Sequence, residues 1–367
     1  MGRDQIVKEK QKARTGNGFG LFLLMAICAV FLFFVGCVSK NGTFAPTSIT
    51  LKEKGELKEL VDKELTFTDY EGVKWIAPKG TLTDGASVPR LALPITDGRW
   101  SREFLKASVV HDAYCQKENE SICTDQYQKR SWQKVHRMFY NACLAGGTDP
   151  WLAKIMFAAV WIGGPRWDDP KREELQKLSG EALTLGFTGV REWINQNDPT
   201  IEAIEADLER REPVLIKFVN YESNISDALQ AGDTRNVEAL LGEEEQFLKK
   251  ELAKLPRDTM LINFKGRLHK NRSKLYRKLN LENKVNIELI NSEKAFKDVI
   301  KKDPKDPSAL KGLGNISFLR NDLESSKEYL NKAIEIAPKY EEAIRDLNFI
   351  KERPRVVPPP QGFEIGQ

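Results

Sequence analysis

The segment that decides the fold of the first half of the chain is residues 101–115, which read SREFLKASVVHDAYC. Ser101 is a typical helix N-cap, and the apolar residues that follow it predict a helix that ends near Cys115. A histidine and an aspartate, His111 and Asp112, stand inside this apolar helix. Burying either side chain without a hydrogen-bonding partner costs free energy, and an unpaired charge costs the most. We therefore expect other parts of the chain to supply partners for His111 and Asp112.

The segment from Ser131 to Ala145 predicts a second helix, because its large side chains recur at spacings of three and four residues. This stripe contains a second histidine, His136. Gly146 and Gly147 follow and are expected to end the helix. Antiparallel helices joined by a loop bring their stripes together, so we expect His136 to face His111.

The residues before the first helix predict a β-hairpin. Apolar residues alternate over 65–67 and again over 73–75, and Tyr70-Glu71-Gly72 supplies a turn. Glycine and proline then recur from Pro78 to Gly98, which predicts a stretch without regular structure. A third helix is expected from Pro150 to about Trp161. The predicted first domain, residues 61–170, is thus of the α+β class, with a β-hairpin and three helices.

The N-terminus carries a pattern typical of exported proteins. Five basic residues and two acidic ones lie in residues 1–20, and an uncharged run from Leu21 to Val35 follows. This run is shorter than the roughly 20 residues that a transmembrane helix needs. Its end, Phe34-Val35-Gly36-Cys37, resembles the lipidation site of bacterial lipoproteins.

That resemblance implies that residues 1–36 are a signal peptide, that Cys37 carries the lipid, and that residues 37–60 are a tether. Val38 and Ser39 follow the cysteine in place of an aspartate, which implies the outer membrane of a bacterial envelope, facing the periplasm. The alternative is an uncleaved signal anchor in which Cys37 has no role.

Residues 171–353 are expected to be helical throughout, with a linker region at 171–255 and helical repeats at 256–353; a proline-rich tail occupies 354–367. Within this half, residues 307–338 are similar to one 34-residue tetratricopeptide repeat (TPR). The matching positions are Leu310, Leu313, Gly314, Phe318, Asn321, Asp322, Leu323, Leu330, Ala333 and Pro338. Serines at 317 and 326 depart from the repeat pattern. Another repeat is expected to end at Pro304, and a partial one to begin near Ile344.

The TPR resemblance implies stacked helices with a concave groove that binds a protein partner. The alternative is a helical solenoid that only caps or spaces the first domain.

Composition and charge make no case for nucleic-acid binding. The 367 residues include 57 basic and 53 acidic ones, a net charge of +4. No basic stripe with interleaved aromatic residues accompanies this excess, so nothing indicates nucleic-acid binding.

If Cys28 leaves with the signal peptide and Cys37 is lipidated, Cys115, Cys123 and Cys143 remain, and Cys115 and Cys123 could form a disulfide.

Three ordered blocks together resemble the uncharacterised bacterial and phage family known as domain of unknown function 1353. They are Trp75-Ile76-Ala77-Pro78-Lys79-Gly80, Thr83-Asp84-Gly85-Ala86-Ser87-Val88-Pro89-Arg90 and Val109-Val110-His111-Asp112-Ala113-Tyr114-Cys115. The resemblance covers about residues 45–167. One departure is Val135-His136 before Phe139, where that family usually has Ala-Asp.

A more distant similarity is to secreted prokaryotic phospholipases of the A-two type, in which an Asp-Gly calcium loop precedes a helical His-Asp pair. The similarity implies that Asp84 and Asp112 bind calcium, that His111 is the general base, and that His136 replaces an aspartate that orients the base. A neutral imidazole at position 136 stabilises a protonated His111 less well than a carboxylate would.

Two other interpretations of the same residues stay open. His111, Asp112, His136 and Asp84 suit a mixed nitrogen and oxygen site for zinc or a similar ion. Alternatively, they form a hydrogen-bonded core network with Tyr114 and Arg137. The sequence thus supports two functional hypotheses, an envelope protein that binds a partner through TPR-like repeats and a metal-assisted ester or phospholipid hydrolase.

Overall fold

The computed structural model describes residues 41–85, 100–170, 178 and 180–352. Over these residues, a region of small β-sheets is followed by a mostly helical region. The strands are β1 (Thr43–Ala45), β2 (Leu51–Lys54), β3 (Leu57–Leu60), β4 (Leu65–Thr68), β5 (Lys74–Ala77) and β6 (Leu82–Thr83). The helices are α1 (Arg102–Cys115), α2 (Trp132–Gly146), α3 (Pro150–Gly163), α4 (Gly180–Asn197), α5 (Ile201–Ala231), α6 (Thr234–Lys254), α7 (Thr259–Lys278), α8 (Glu282–Lys302), α9 (Pro307–Leu319), α10 (Leu323–Ile336) and α11 (Glu341–Glu352).

The first sheet has the antiparallel order β1-β4-β5 and contains the predicted hairpin. Phe67 on β4 lies opposite Trp75 on β5, and Gly72 in the turn has a φ of 81°. Leu65, Phe67, Trp75 and Ala77 are buried. The alternation seen in the sequence therefore places one face of this sheet in the core.

The second sheet has the antiparallel order β2-β3-β6. The strand β6 lies inside the stretch from Pro78 that we expected to lack regular structure, so that expectation is wrong for these two residues. The cause is a tertiary contact, because Glu59 on β3 pairs with Leu82 and the amide of Leu60 donates a 2.9 Å hydrogen bond to the carbonyl of Thr81. Residues 86–98 of that stretch lie outside the described residues.

Helices α1 and α2 form an antiparallel pair. The start of α1 meets the end of α2, since Thr148 Oγ1 donates to the carbonyl of Glu103 at 3.2 Å. Helix α1 begins after Ser101 as predicted, although the Ser101 side chain makes no capping hydrogen bond. Gly147, with a φ of 96°, ends α2 in the left-handed conformation typical of a helix C-terminus.

The core of the β-sheet region continues into the helical region. Helices α1 to α3 contribute most of its buried side chains, including Phe104, Phe139 and Phe157. Side chains of α4 and α5 complete the same cluster: Phe187, Val190, Ile194, Ile201, Ile204 and Leu208. The first helices after residue 170 therefore pack directly on the region that holds the candidate site.

Helices α9 and α10 form the helix pair in which the sequence resembles a TPR. Asn321 between them has a φ of 63°, and Ala333 is buried. A Cβ atom on Gly314 would lie 2.9 Å from Leu330 Cγ, so the two helices approach closely at this glycine. Helices α7 and α8, before this pair, are 20 and 21 residues long.

The predicted signal peptide, Cys28, Cys37 and the proline-rich tail lie outside the described residues. Of the helices in the described ranges, none has the length and apolar character needed to cross a membrane.

Candidate proton-transfer and metal site

The structure brings together the two histidines of the first domain. His111 on α1 and His136 on α2 are 1% and 0% exposed, and His111 Nε2 lies 3.0 Å from His136 Nδ1. The rings are packed between aromatic side chains, with Phe139 4.9 Å from the His111 ring and Trp132 5.5 Å from the His136 ring, centroid to centroid. The antiparallel packing of the two helical stripes thus produces a buried histidine pair.

Asp112 lies beside this pair, and each of its carboxylate oxygens has a different neighbour. Thr83 Oγ1 donates a 2.6 Å hydrogen bond to Asp112 Oδ2, while Asp112 Oδ1 faces His111 Nδ1 at 3.5 Å. Burial, the largest cause, and the charge of Asp84 raise the pKa of Asp112, while the contacts with His111 and Thr83 oppose the rise, and the resulting pKa is about 6. Asp112 is therefore easier to protonate than an ordinary aspartate.

Asp84 lies close to the same cluster, in the turn after β6. It is half-buried, between Thr83 and Gly85, whose φ is 87°. The charge of Asp84 raises the pKa of both Asp112 and Cys115, which places its carboxylate within electrostatic reach of both groups.

Cys115 is a member of the cluster that the sequence reasoning missed, since we considered it only as a disulfide candidate. Its Sγ lies 3.4 Å from His111 Nδ1 and donates a 3.3 Å hydrogen bond to the carbonyl oxygen of His111. Burial raises the pKa of the Cys115 thiol well above its usual value. Cys115, Cys123 and Cys143 are all buried free thiols.

The ligand atoms of His111, Asp112 and Cys115 all lie within 4.8 Å of one another. A signal for Cys115 was present in the sequence, because residues four apart on a helix share a face.

His136 is held neutral by its surroundings. Burial, the neighbouring His111 and the charge of Arg166 together lower the pKa of His136 well below its usual value. The nearby backbone of Pro165 partly offsets this lowering of the pKa. His136 Nε2 has no hydrogen bond of normal geometry to a described residue. A Cβ atom on Gly164 would lie only 3.0 Å from that Nε2, so the chain after α3 closes over the ring.

The contact between the two imidazoles allows two proton arrangements, because one proton is shared between His111 Nε2 and His136 Nδ1. If the proton is on His136, the remaining proton of a neutral His111 lies on Nδ1 and points toward Asp112. If the proton is on His111 Nε2, the Nδ1 of a neutral His111 is an open lone pair that faces Asp112. The pair can thus present either a donor or an acceptor at the same position.

Residues 60–160 match the family model described as protein of unknown function (DUF1353). We call residues 60–160 the DUF1353 region. The chain is also similar to two uncharacterised proteins of Sinorhizobium fredii. The chain is 37% identical over 109 residues to y4iH, a match that covers 30% of this chain and 41% of y4iH. It is 36% identical over 107 residues to y4jT, a match that covers 29% of each protein.

The matches therefore span less than half of either relative. Helices α1 and α2, with both histidines, Asp112 and Cys115, lie within the DUF1353 region, as does Thr83.

Two residues of the DUF1353 region that we expected in a core network make other contacts. The hydroxyl of Tyr114 accepts a 3.1 Å hydrogen bond from the amide of Ile76. Arg137 forms ion pairs with Glu202 and Glu205 on α5. The network around Asp112 instead includes Thr83 and Asn119, whose Nδ2 donates to the Asp112 carbonyl at 2.9 Å.

Proposed function

We propose that the DUF1353 region is the catalytic part of a metal-assisted hydrolase that cleaves ester bonds, with phospholipids as the substrate class. The observation that carries this proposal is the 3.0 Å contact between His111 Nε2 and His136 Nδ1 beside the buried carboxylate of Asp112. A histidine whose second nitrogen is held by a partner is the usual arrangement of a general base.

In this proposal His111 takes a proton from the attacking water at Nδ1, the nitrogen that does not face His136. The Nδ1 of His136 holds the His111 ring at its Nε2, and these two nitrogens share a proton. Asp112 and Asp84 hold a divalent cation, which would polarise the ester carbonyl. The closeness of Asp84 to Asp112 supports this assignment, because two neighbouring carboxylates repel each other unless a cation or a proton lies between them.

Incubation of the purified chain with phospholipid vesicles and with a p-nitrophenyl ester tests the proposal. We expect hydrolysis in the presence of calcium or zinc and its loss when a chelator is added. Hydrolysis that is insensitive to the chelator would contradict the metal-assisted mechanism, and the absence of hydrolysis of both substrates with either ion would contradict the proposed function.

A second candidate function is binding of a protein partner by TPR-like repeats in the helical region, and a charged surface supports it. Arg267, Lys270 and Lys274 share one face of α7 at spacings of three and four residues. Burial and the charges of Arg267, Lys274 and Lys311 lower the pKa of Lys270 to about 7. Lys270 and Lys274 form no ion pair with any described residue, so an acidic segment of a partner suits this surface.

Capture of partners from bacterial envelope extracts tests this candidate. Lys274→Glu should remove an acidic partner that the wild-type chain retains, whereas Lys250→Glu, at an exposed position of α6, should not. Identical partners for all three proteins would contradict binding at this surface.

We also propose that the chain is anchored to the bacterial outer membrane through a lipid on Cys37, facing the periplasm. The sequence from Phe34 to Cys37 supports this proposal. Labelling of cells with radioactive palmitate should mark the wild-type chain and the Cys28→Ser variant but not Cys37→Ser. Equal labelling of Cys37→Ser would contradict the anchor.

A further inference from the structure

We propose that the turn Gly164-Pro165-Arg166 after α3 fixes the proton positions of the histidine pair, and that Arg166 is the positioning residue that holds this turn. The inference rests on the proposed hydrolase for its role in a reaction, since it decides which nitrogen of His111 is free to act as the base. This turn follows the DUF1353 region and is not part of the site expected from the sequence.

The outer nitrogen of His136, Nε2, faces backbone that accepts a proton and cannot donate one. Pro165 has no N–H group, so its carbonyl oxygen is its one polar backbone atom, and this backbone favours a proton on the His136 ring. The amide of Gly164 already donates a 2.8 Å hydrogen bond to the Val160 carbonyl. The Pro165 carbonyl attracts a proton on Nε2 and repels a lone pair there, even without ideal hydrogen-bond geometry. A neutral His136 is therefore most stable with its proton on Nε2.

This proton position decides how the two imidazoles share the proton between them. With its own proton on Nε2, a neutral His136 presents a lone pair at Nδ1, which lies 3.0 Å from His111 Nε2. The shared proton then belongs to His111 Nε2. Because a neutral imidazole carries one proton, the Nδ1 of His111 is an open lone pair, as a general base requires.

The opposite arrangement is less stable. It would place the proton of His136 on Nδ1 and leave the Nε2 lone pair against the Pro165 carbonyl, an unsatisfied contact between two acceptors. In return, a proton on His111 Nδ1 would point toward Asp112 Oδ1, which is 3.5 Å away, at the limit of a hydrogen bond. Such a long contact offsets little of the loss at the turn.

Arg166 joins the turn to three other parts of the chain. Its Nε and Nη2 donate to the Trp161 carbonyl near the end of α3, at 3.0 and 2.5 Å. Its Nη1 donates to Asp169 Oδ2 at 3.1 Å and to Glu212 Oε2 on α5 at 2.6 Å. Arg166 is itself buried. These contacts fix the turn on α3, and through Glu212 the helical region contributes to its position.

The charge of Arg166 also acts on His136. The guanidinium carbon lies 4.4 Å from the centre of the Trp132 ring, and this ring packs on His136 at 5.5 Å between centroids. Burial is the largest cause of the low pKa of His136, and the charges of His111 on α1 and of Arg166 lower this pKa further. A second proton on His136 is therefore disfavoured. When His111 takes a proton from water at Nδ1, the proton on its Nε2 stays on His111, beside Asp112.

NMR of the full chain labelled with nitrogen-15 histidine tests the inference, because the sequence contains three histidines. Ring nitrogens with and without a proton differ strongly in chemical shift, so the spectrum reports the tautomer of each ring. The His269→Ala variant identifies the signals of the pair by removing those of the third histidine. At pH 8 we expect both rings of the pair to carry their proton on Nε2. Protons on Nδ1 of both rings would overturn the inference, and this result requires no change in the turn.

The Arg166→Gln variant tests the role of the arginine. We expect the Nδ1-protonated form of the pair to become populated, and kcat/KM for ester hydrolysis to fall at least about 10-fold, because a positioned base contributes about 100-fold or more. Arg130→Gln is the matched control, since the Arg130 guanidinium packs 4.0 Å from the Trp75 ring. This control should keep the wild-type proton positions and rate.

The outcomes separate this inference from the proposed hydrolase. A folded Arg166→Gln chain with wild-type proton positions overturns the assignment of Arg166 as the positioning residue. The expected proton positions without ester hydrolysis contradict the hydrolase alone, whereas hydrolysis by a chain whose pair carries its protons on Nδ1 contradicts this inference alone.

Discussion

Thr83 on β6 donates a 2.6 Å hydrogen bond to Asp112 on α1, and this contact joins the second sheet to the helix that carries His111. Both side chains are completely buried. The amide of Gly85 donates to Thr83 Oγ1 at 3.1 Å, so the threonine hydroxyl connects the turn that holds Asp84 with the carboxylate of Asp112. The position of Asp84 relative to Asp112 thus depends on one threonine.

The first prediction concerns this threonine. Thr83→Val keeps the shape of the side chain but removes the hydrogen bond to Asp112, and we expect a loss of about 1–3 kcal/mol in the free energy of unfolding. Urea unfolding measures it. Thr66→Val, at a partly exposed position of β4, is the matched control and should change stability by less than about 0.5 kcal/mol. Equal effects of the two changes would contradict the importance of the Thr83 contact.

A second prediction concerns the backbone that closes over His136. An alanine at position 164 would place its Cβ 2.3 Å from the Val160 carbonyl oxygen and 3.0 Å from His136 Nε2, so the end of α3 must move. We expect Gly164→Ala to lower the melting temperature. Gly242→Ala is the control, because Gly242 lies within α6 with no atom near the added Cβ and alanine should stabilise that helix by about 0.5–1 kcal/mol. Stabilisation by Gly164→Ala would show that the close contact is absent.

The third prediction uses a carboxyl group outside the site. Glu244 on α6 is completely buried, and neither of its oxygens has a hydrogen bond with a described residue. Burial and the nearby Glu222 raise the pKa of Glu244 to about 8. In the unfolded chain the pKa is about 4.3, so the unfolded state releases its proton first as the pH rises. The wild-type chain should therefore lose stability between about pH 4.5 and pH 8 on account of this group.

Glu244→Gln removes that pH dependence. The variant should gain several kcal/mol of stability relative to the wild-type chain between pH 5 and pH 8. Glu243→Gln, at an exposed neighbouring position, should show no such gain. Parallel stability curves for wild type and Glu244→Gln from pH 5 to pH 8 would contradict a raised pKa at this position.

A fourth prediction concerns the turn between α9 and α10. Asn321 has a φ of 63°, a conformation that glycine adopts freely and that β-branched residues avoid. Asn321→Gly should therefore change the free energy of unfolding by less than about 0.5 kcal/mol, and Asn321→Val should cost about 1–2 kcal/mol. Chemical denaturation of the two variants measures the difference. Equal stability of both would indicate that the turn does not need a positive φ.

The sequence predicted those parts of the fold that depend on local pattern. Alternating apolar residues predicted the β4–β5 hairpin, and spacings of three and four predicted α1 and α2. The expectation that His111 faces His136 required only that these two helices pack as antiparallel neighbours. Each of these features is encoded in a short window of the chain.

Contacts between distant segments could not be predicted in this way. The hydroxyl of Thr83 reaches Asp112 across 29 positions, and nothing in the spacing of either residue indicates it. The strand β6 likewise exists because β3 offers it backbone partners. Cys115 is different, because residues four apart on a helix share a face, so its spacing from His111 carried a signal that we did not use.

The most direct test of the proposed function is the rate of ester hydrolysis by the His111→Ala variant of the full chain. We predict that kcat/KM falls at least about 100-fold, because His111 takes the proton from water in the proposed mechanism. His269→Ala is the control, since His269 lies on α7 and contacts Glu288 Oε2 through Nδ1 at 2.5 Å, and this variant should keep the wild-type rate. Equal rates for wild type, His111→Ala and His269→Ala would contradict the assignment of the catalytic centre to the histidine pair.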